Sequence, residues 1–142
     1  MKKIIYLAGG MTGLSLEEQN SWRVELKSNF EELTSNVSVI NPLDHFSFFS
    51  EDYKNNKVDE KEILRLDLDK VRKSDLIIVN FNEPKSIGTA CELCLANEYR
   101  IPIIGLNENN NEIHPWLEYF SWKIFTDKND LYQYVCEHFL NN

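Results

Sequence analysis

Short, continuous hydrophobic runs alternate along this chain with longer segments in which apolar residues recur at helical intervals. The runs are Lys3–Ala8, Val37–Ile40, Asp75–Phe81, Ile101–Leu106 and, more weakly, Trp122–Phe125. A short apolar run bounded by turn-forming residues is typical of a strand that is buried on both faces. The pattern therefore predicts a sheet of about five strands.

The segments between these runs are predicted to be helices. Ser15 and Glu18 have the spacing of a capping box at the start of the first one. The inward positions follow from the helical spacing of the apolar residues. In the helix that begins at Ser15 they are Trp22, Leu26, Phe30 and Leu33; in the helix Val58–Lys73 they are Ile63, Leu66 and Val71; and in the helix Gly88–Tyr99 they are Leu93, Cys94 and Ala96. A last helix is expected over Leu131–Leu140.

Strands that alternate with helices in this way favour a parallel sheet with helices on both faces. We therefore expect residues 1–142 to form one doubly wound, three-layer α/β domain of the Rossmann or flavodoxin type, with a mainly parallel sheet. Ligands of such domains bind beyond the carboxyl ends of the strands. That edge is expected to consist of four loops, Ala8–Gly13, Asn41–Asp44, Asn80–Gly88 and Leu106–Asn110.

Residues 42–57 have no hydrophobic period and are expected to form a long loop. Loops of this length in compact domains are commonly functional. The aromatic residues of this segment fit a flap that packs on the core equally well, so both interpretations stay open.

The charge of the chain argues against a nucleic acid partner. Its 15 basic and 23 acidic side chains give a net charge of −8 at pH 7, which would repel a polyanion. No apolar run approaches the roughly 20 residues of a membrane span, and residues 1–15 lack a signal-peptide pattern. The odd number of cysteines favours a reducing compartment. We therefore expect a cytoplasmic protein without a membrane partner, whose ligand is a small molecule.

No spacing of cysteine and histidine fits a zinc site, because the pair Cys91 and Cys94 has no second pair. We interpret these two cysteines as small packing residues on a helix. The Gly-rich turn Ala8–Gly13 matches neither the G-x-G-x-x-G motif nor a P-loop, so no cofactor and no metal are predicted. Either the amides of this turn bind an anion or a sugar hydroxyl, or its glycines only permit a tight turn.

Two acidic residues are candidates for chemistry. Glu92 lies near the start of a predicted helix, where the helix dipole would keep its carboxylate ionised and available as a nucleophile. Favourable electrostatics at a helix start is the alternative explanation. Asp67 lies in a helix rich in charge, where a solvated acidic face is the simplest explanation. Asp75 is expected at the opposite edge of the sheet, as a cap or turn residue.

Two segments together resemble the nucleoside 2-deoxyribosyltransferase family. The first is Ile4–Met11, with the sequence IIYLAGGM, and the second extends from Asp67 through DLIIV and GTACELCLA to Gly105. Asn41–Pro42, after the second predicted strand, also fits the family pattern. The matching motifs extend from residue 4 to about residue 106.

The resemblance implies exchange of the N-glycosidic bond of deoxynucleosides, without a cofactor or metal. Glu92 matches the nucleophile that attacks C1′ and holds a covalent deoxyribosyl intermediate. Asp67 matches the carboxylate that positions or protonates the leaving base, and Tyr6 matches a tyrosine near the nucleophile. The residues expected to bind a small-molecule nucleoside or nucleotide are Ala8, Gly9, Gly10, Met11, Asn41, Ser86, Gly88 and Thr89.

Members of this family that form dimers to hexamers imply a homo-oligomer here. An oligomer needs an exposed apolar surface for the contact. The aromatic stretch Trp116, Tyr119, Phe120 and Trp122 is the candidate, and part of it equally fits the core.

Ser86 departs from the family pattern, because the transferases often carry an aspartate six residues before the nucleophile. The segment Pro84–Gly88 instead resembles the related deoxynucleoside 5′-monophosphate N-glycosidases, in which a serine contacts the phosphate. A helix cap is the alternative explanation for Ser86. Three functions stay open at this point: transfer between bases, hydrolysis of nucleotides, and a binding module without activity.

Overall fold

The computed structural model describes residues 2–11, 13–44, 59–83 and 85–140. Its sheet consists of β1 (Lys3–Gly9), β2 (Val37–Ile40), β3 (Leu76–Asn80), β4 (Ile103–Leu106) and β5 (Lys123–Phe125). The strand order is β2-β1-β3-β4-β5, and all neighbouring pairs are parallel. The predicted parallel sheet of about five strands is therefore confirmed.

The helices that the structure describes connect these strands. They are α1 (Leu16–Leu33), α2 (Glu60–Arg72), α3 (Ile87–Glu98), α4 (Pro115–Phe120) and α5 (Lys128–Val135), and α5 continues as a π-helical turn over Cys136–Leu140. The predicted capping box of α1 is present, with Ser15 and Glu18 each accepting the other's backbone N–H at 3.1 Å. None of these helices is both long and apolar enough to cross a membrane.

The sequence pattern does not predict α4, because its six residues are too few to show a helical period. Pro115 lies in its first turn, and Nδ1 of His114 accepts the backbone N–H of Trp116 at 3.2 Å. The last helix also begins earlier than predicted, at Lys128, because Asp127 caps it. Residues 45–57 of the predicted long loop lie outside the described residues.

Helices cover both faces of the sheet, as the doubly wound prediction requires. One core lies between the sheet and the pair α1 and α5, and the other lies between the sheet and α2, α3 and α4. Successive residues of a strand point to opposite faces, so Leu7 enters the first core and Tyr6 enters the second. Since β1 pairs with β2 on one side and with β3 on the other, the carboxyl ends of β1 and β3 form the topological switch point.

Several predicted inward positions on the helices are wrong. Leu33 is 58% exposed and Leu66 is 40% exposed, and Cys91 and Cys94 are both exposed rather than packed in the core. The buried stripes are Arg23, Leu26 and Phe30 in α1, and Ile63, Asp67 and Val71 in α2. In both helices a charged residue occupies a core position, and both of these residues lie near the switch point.

Candidate active site

Tyr6, Asp67 and Glu92 come from β1, α2 and α3 and meet on one face of the sheet. Tyr6 is fully buried, Asp67 is 9% exposed and Glu92 is partly buried. The three groups are close enough for their charges to interact: the carboxyls of both Glu92 and Asp67 disfavour ionisation of the tyrosine. The structure therefore brings together the three residues that the resemblance marks as catalytic.

Two polar atoms of this cluster have no hydrogen-bond partner among the described residues, the hydroxyl of Tyr6 and Oδ1 of Asp67. Oγ1 of Thr89, three residues before Glu92 on α3, also lacks one. The Tyr6 hydroxyl is close enough to Glu92 to favour its charged form, but their contact lacks hydrogen-bond geometry. A buried polar atom without a partner costs about 1–3 kcal/mol. Unpaired buried polar atoms such as these make the cluster a candidate site for a ligand.

Burial raises the pKa of Glu92 to about 7, and the charge of Asp67 adds to this effect. Tyr6 and Arg23 act in the opposite direction. The sequence-based expectation that the helix dipole keeps this carboxylate ionised leaves out burial, which acts in the opposite direction. Glu92 follows the first turn of α3, which holds no acidic residue, and the dipole effect falls off within that turn.

Burial likewise raises the pKa of Asp67 to about 6, and Lys70 and Arg23 oppose this effect. The solvated acidic face that we considered for this helix does not include Asp67, because Ile63, Asp67 and Val71 form its buried stripe. A carboxyl with a pKa near neutrality can both hold and release a proton under physiological conditions. Asp75, in contrast, accepts the backbone N–H of Ile4 at 2.8 Å and acts as the expected turn residue.

The Gly-rich turn packs closely against two other elements. A Cβ atom on Gly9 would lie 2.7 Å from Cζ2 of Trp22, and one on Gly10 would lie 3.1 Å from the carbonyl oxygen of Glu83. Ala8 is buried at the start of this turn, and the carbonyl of Met11 accepts a hydrogen bond from Nε2 of Gln19 at 3.0 Å. Close packing therefore accounts for both glycines, and it places the turn beside the β3–α3 loop.

Ser86 is the N-cap of α3, and its Oγ accepts the backbone N–H of Thr89 at 3.2 Å. The helix-cap explanation is thus correct for the oxygen, while the hydroxyl proton is still available to a ligand. The space beside Gly88 is open, because a Cβ atom there would have no neighbour nearer than Oγ of Ser86 at 4.0 Å. Thr89 is buried beneath this loop.

Asn41 has a structural role after β2. Its Nδ2 donates to Oδ1 of Asn20 at 2.8 Å, and its Oδ1 accepts the backbone N–H of Leu43 at 3.0 Å. Asn41 is 2% exposed. It therefore orders the chain beside the site through contacts within the protein, and its direct contact with substrate stays a prediction.

The sequence interpretation missed an asparagine network that joins two loops at this edge. Nδ2 of Asn111 donates to the carbonyls of Phe81 and Asn82, both at 3.0 Å. Asn107 holds Asn111 in place through two hydrogen bonds to its backbone, also at 3.0 Å. The polar run Asn107–Asn111 was the available signal, because side-chain amides commonly bind loop backbone.

Arg23 is the second residue that the sequence interpretation missed. It precedes Leu26 and Phe30 at helical spacing, and this spacing was the signal that Arg23 is buried.

In the described part of the chain, no three histidine, cysteine, aspartate or glutamate side chains come together as metal ligands would. The cluster of Tyr6, Asp67 and Glu92 consists of two carboxyls and a phenol, and the buried guanidinium of Arg23 acts on all three. Such groups suit proton transfer and nucleophilic attack by a carboxylate.

Known proteins match this chain in sequence and in fold. The sequence profile of the nucleoside 2-deoxyribosyltransferase family matches residues 5–139, while no curated protein matches significantly. A conserved protein from Enterococcus faecalis V583 has 17% identity and a TM-score of 0.71, over 96% of this chain and 99% of that chain.

Two further solved structures that match this chain are those of enzymes. The 2-deoxyribosyltransferase from Bacillus psychrosaccharolyticus has 18% identity and a TM-score of 0.68, over 92% of this chain and 91% of that chain. The CMP N-glycosidase from Clostridium botulinum has 22% identity and a TM-score of 0.58, over 96% and 99%. At these identities the likeness shows a shared fold. The family profile covers nearly the whole chain, and the protein therefore belongs to the nucleoside 2-deoxyribosyltransferase family.

Proposed function

We propose that this protein is an enzyme that cleaves the N-glycosidic bond of 2-deoxynucleosides and transfers the deoxyribosyl group to a second base. The observation that carries the proposal is the buried cluster of Glu92, Asp67 and Tyr6 at the switch point. Its two carboxyls have pKa values of about 7 and about 6. Family membership supports the general kind of activity.

In the first step the carboxylate of Glu92 attacks C1′ of the sugar. The C1′–O bond to Glu92 forms as the C1′–N bond breaks, and the electron pair of the broken bond goes to the base. Asp67 donates its proton to that base, which makes it a better leaving group. The product of this step is a glycosyl ester on Glu92 and a free neutral base.

In the second step a nitrogen of another base attacks C1′ and releases the Glu92 carboxylate. The incoming base loses a proton to Asp67, so the carboxyl returns to its initial state. Attack by water in place of a base gives hydrolysis, with the same proton transfer. Tyr6 favours the charged form of Glu92 through its hydroxyl, which stabilises the carboxylate before attack and after release.

A product assay tests this proposal directly. The protein is incubated with a deoxynucleoside alone, with a deoxynucleoside and a second free base, and with a deoxynucleoside 5′-monophosphate, and the products are resolved by chromatography. Transfer gives a new nucleoside only when the second base is present. Hydrolysis gives free base without an acceptor. Binding of a nucleoside with no product from any mixture would contradict the enzyme and indicate a binding module.

The second candidate function is hydrolysis of deoxynucleoside 5′-monophosphates, and the geometry around Ser86 favours it. The Ser86 hydroxyl proton is free to donate at the start of α3, beside the open space next to Gly88. A helix start with free N–H groups is a common binding site for phosphate. Lys85 precedes Ser86 and is exposed, so its ammonium group is available to a phosphate.

Ser86→Asp tests this candidate, because aspartate also caps helices and so mainly adds a negative charge. If the monophosphate is the substrate, we expect the wild type to prefer it. The added charge should then reduce that preference by about 1–3 kcal/mol, through repulsion and a lost hydrogen bond. The measurement is the ratio of kcat/KM for the monophosphate and for the nucleoside.

Ser86→Asn is the matched control, because asparagine caps a helix without adding charge. We expect it to change the ratio less than Ser86→Asp does. Equal use of both substrates by the wild type, unchanged in Ser86→Asp, would contradict a phosphate site and favour transfer between nucleosides.

We also propose that the protein is a homo-oligomer that uses the aromatic surface around α4. Trp116, Tyr119 and Trp122 are 64%, 73% and 62% exposed, whereas Phe120 is 8% exposed and belongs to the core. We expect light scattering to give a mass above that of one chain, and Trp116→Glu to reduce it through a buried charge. A strict monomer at working concentration would contradict this proposal.

A further inference from the structure

Arg23 is a fully buried arginine whose guanidinium binds backbone rather than a carboxylate. Its Nε donates to the carbonyl of Leu7 at 3.4 Å and its Nη2 donates to the carbonyl of Gly9 at 3.0 Å. Its Nη1 donates to the carbonyl of Gln19 within α1. The ring of Trp22 lies 4.5 Å from the guanidinium carbon. No carboxylate of the described residues is within ion-pair distance.

The strand register explains why β1 needs these donors. The last pair between β1 and β2 joins Tyr6 and Ile40, but β1 continues to Gly9. The carbonyls of Leu7 and Gly9 therefore lie beyond the end of the neighbouring strand. Buried carbonyls need hydrogen-bond partners, and the planar guanidinium supplies several donors in a fixed arrangement. Arg23 thus takes the place of the missing strand residues at the edge that leads into the Gly-rich turn.

The same guanidinium is the positive charge that faces the catalytic cluster from α1. It interacts with Glu92, Tyr6 and Asp67, and burial lowers its own pKa to about 10. It therefore stays charged at neutral pH. Three groups act on the pKa of Glu92: Tyr6 on β1, Asp67 on α2 and Arg23 on α1. Lys70 lowers the pKa of Asp67. Of the groups that act on Glu92, Arg23 is the permanent cation.

We propose that Arg23 is a positioning residue of the active site: it holds the carboxyl end of β1 through the Leu7 and Gly9 carbonyls, and it places a buried positive charge beside the catalytic cluster. An arginine does both at once, because its fork binds the carbonyls while its charge acts through the protein interior. The effect on catalysis rests on the proposed function. The effect on the ionisation of Glu92 does not.

The direct test follows the Glu92 carboxyl by NMR in protein labelled with ¹³C-glutamate, with the signal assigned from Glu92→Gln. In Arg23→Met the side chain keeps a similar length and loses its charge. We expect the pKa of Glu92 to rise by about one unit, since a nearby opposite charge shifts a carboxyl by about 1–3 units. Arg23→Lys keeps the charge and should shift the titration less than Arg23→Met does.

Arg65→Met is the matched control, because Arg65 is exposed on α2 and its loss changes the net charge equally. We expect the titration of Glu92 to be unchanged in this variant. If Arg23→Met and Arg65→Met titrate alike, Arg23 does not act on Glu92 and the proposal is wrong. If Arg23→Met does not fold, Arg23→Gln takes its place, because its amide still donates to a carbonyl while the charge is lost.

A second measurement tests the hold on β1. Arg23→Lys retains a charge but has no planar fork, so we expect the backbone amide of Gly10, next to the Gly9 carbonyl, to shift and to become more mobile in NMR relaxation. Unchanged Gly10 relaxation in both Arg23→Lys and Arg23→Met would overturn this part.

Turnover gives the last measurement. In Arg23→Met we expect the acidic limb of kcat to move to higher pH, so that kcat relative to the wild type falls by about tenfold at pH 6 for a shift of one unit. This ratio should recover as the pH rises above 8, and KM should change less. A drop in kcat that is equal at all pH values would indicate a structural role alone. If no substrate is turned over at all, the proposed function fails, while the NMR titration still decides the role of Arg23.

Discussion

Glu92→Gln is expected to abolish turnover while making the folded protein more stable above pH 7. The lost carboxylate removes the atom that forms the bond to C1′. Without a covalent nucleophile the rate should fall on the order of thousands-fold, which corresponds to about 4 kcal/mol or more of transition-state stabilisation. Glutamine is nearly isosteric with glutamate, so the cause is the chemistry of the group and not a cavity.

The stability should change in the opposite direction, because burial raises the pKa of Glu92 from 4.5 to about 7. The folded state therefore holds a proton that the unfolded state releases between these values, and the stability of the wild type falls as the pH rises through this range. The penalty is absent below about pH 4.5 and complete above about pH 7. We expect Glu92→Gln to lack it and to gain about 1–3 kcal/mol at pH 8.

Chemical denaturation at pH 5 and pH 8, together with single-turnover assays, measures both effects on one variant. Glu98→Gln is the matched control, because Glu98 ends the same helix and is exposed. Glu98→Gln should keep its activity, and its free energy of unfolding should depend on pH as that of the wild type does. Near-native turnover in Glu92→Ala or Glu92→Gln would rule out the covalent mechanism.

The sheet could be predicted from the sequence because each of its strands can be recognised from a short stretch of residues. A buried parallel strand is a continuous apolar run, and each run here ends at residues that break strands, such as Gly9 and Asn41–Pro42. The parallel pairing of the strands and the helices on both faces of the sheet then follow from the alternation with helices. α4 was missed because its six residues are too few to show the helical period of apolar positions.

The burial of Arg23 and Asp67 was missed because charged residues are ordinarily assigned to the solvated face of a helix. The spacing itself contradicts that assignment. Arg23 precedes Leu26 and Phe30 by three and seven positions, and Asp67 lies midway between Ile63 and Val71. A charge at a core position of an otherwise regular stripe is thus a usable signal, since such residues are seldom buried without a specific role.

The ionisation of Glu92 could not be predicted from its own helix. The groups that act on its pKa lie on three other elements, with Tyr6 on β1, Arg23 on α1 and Asp67 on α2. Each is distant in sequence, and only the folded sheet brings them together. The local helix dipole, which is visible in the sequence, is the weaker influence because it decays before it reaches Glu92.

Asp67→Asn is expected to reduce kcat by about 10²–10⁴-fold, while KM changes much less. General acid catalysis typically contributes this range, and asparagine cannot donate a proton to the leaving base and take it back. Burial raises the pKa of Asp67 to about 6, close enough to neutrality for this carboxyl to act as a proton donor. Asp69→Asn is the matched control, because Asp69 lies two residues further along α2 and pairs with Lys73 at the surface.

A series of deoxynucleosides whose bases differ in basicity distinguishes proton transfer from a structural effect of Asp67→Asn. A base that leaves readily as an anion needs little help from an acid, whereas a poor leaving group needs it most. The ratio of wild-type to Asp67→Asn turnover should therefore grow as the leaving base becomes more basic. A structural defect would instead reduce turnover equally across the series. An equal reduction, or unchanged turnover in Asp67→Asn, would remove the acid from the mechanism and leave Asp67 with the task of orienting the base.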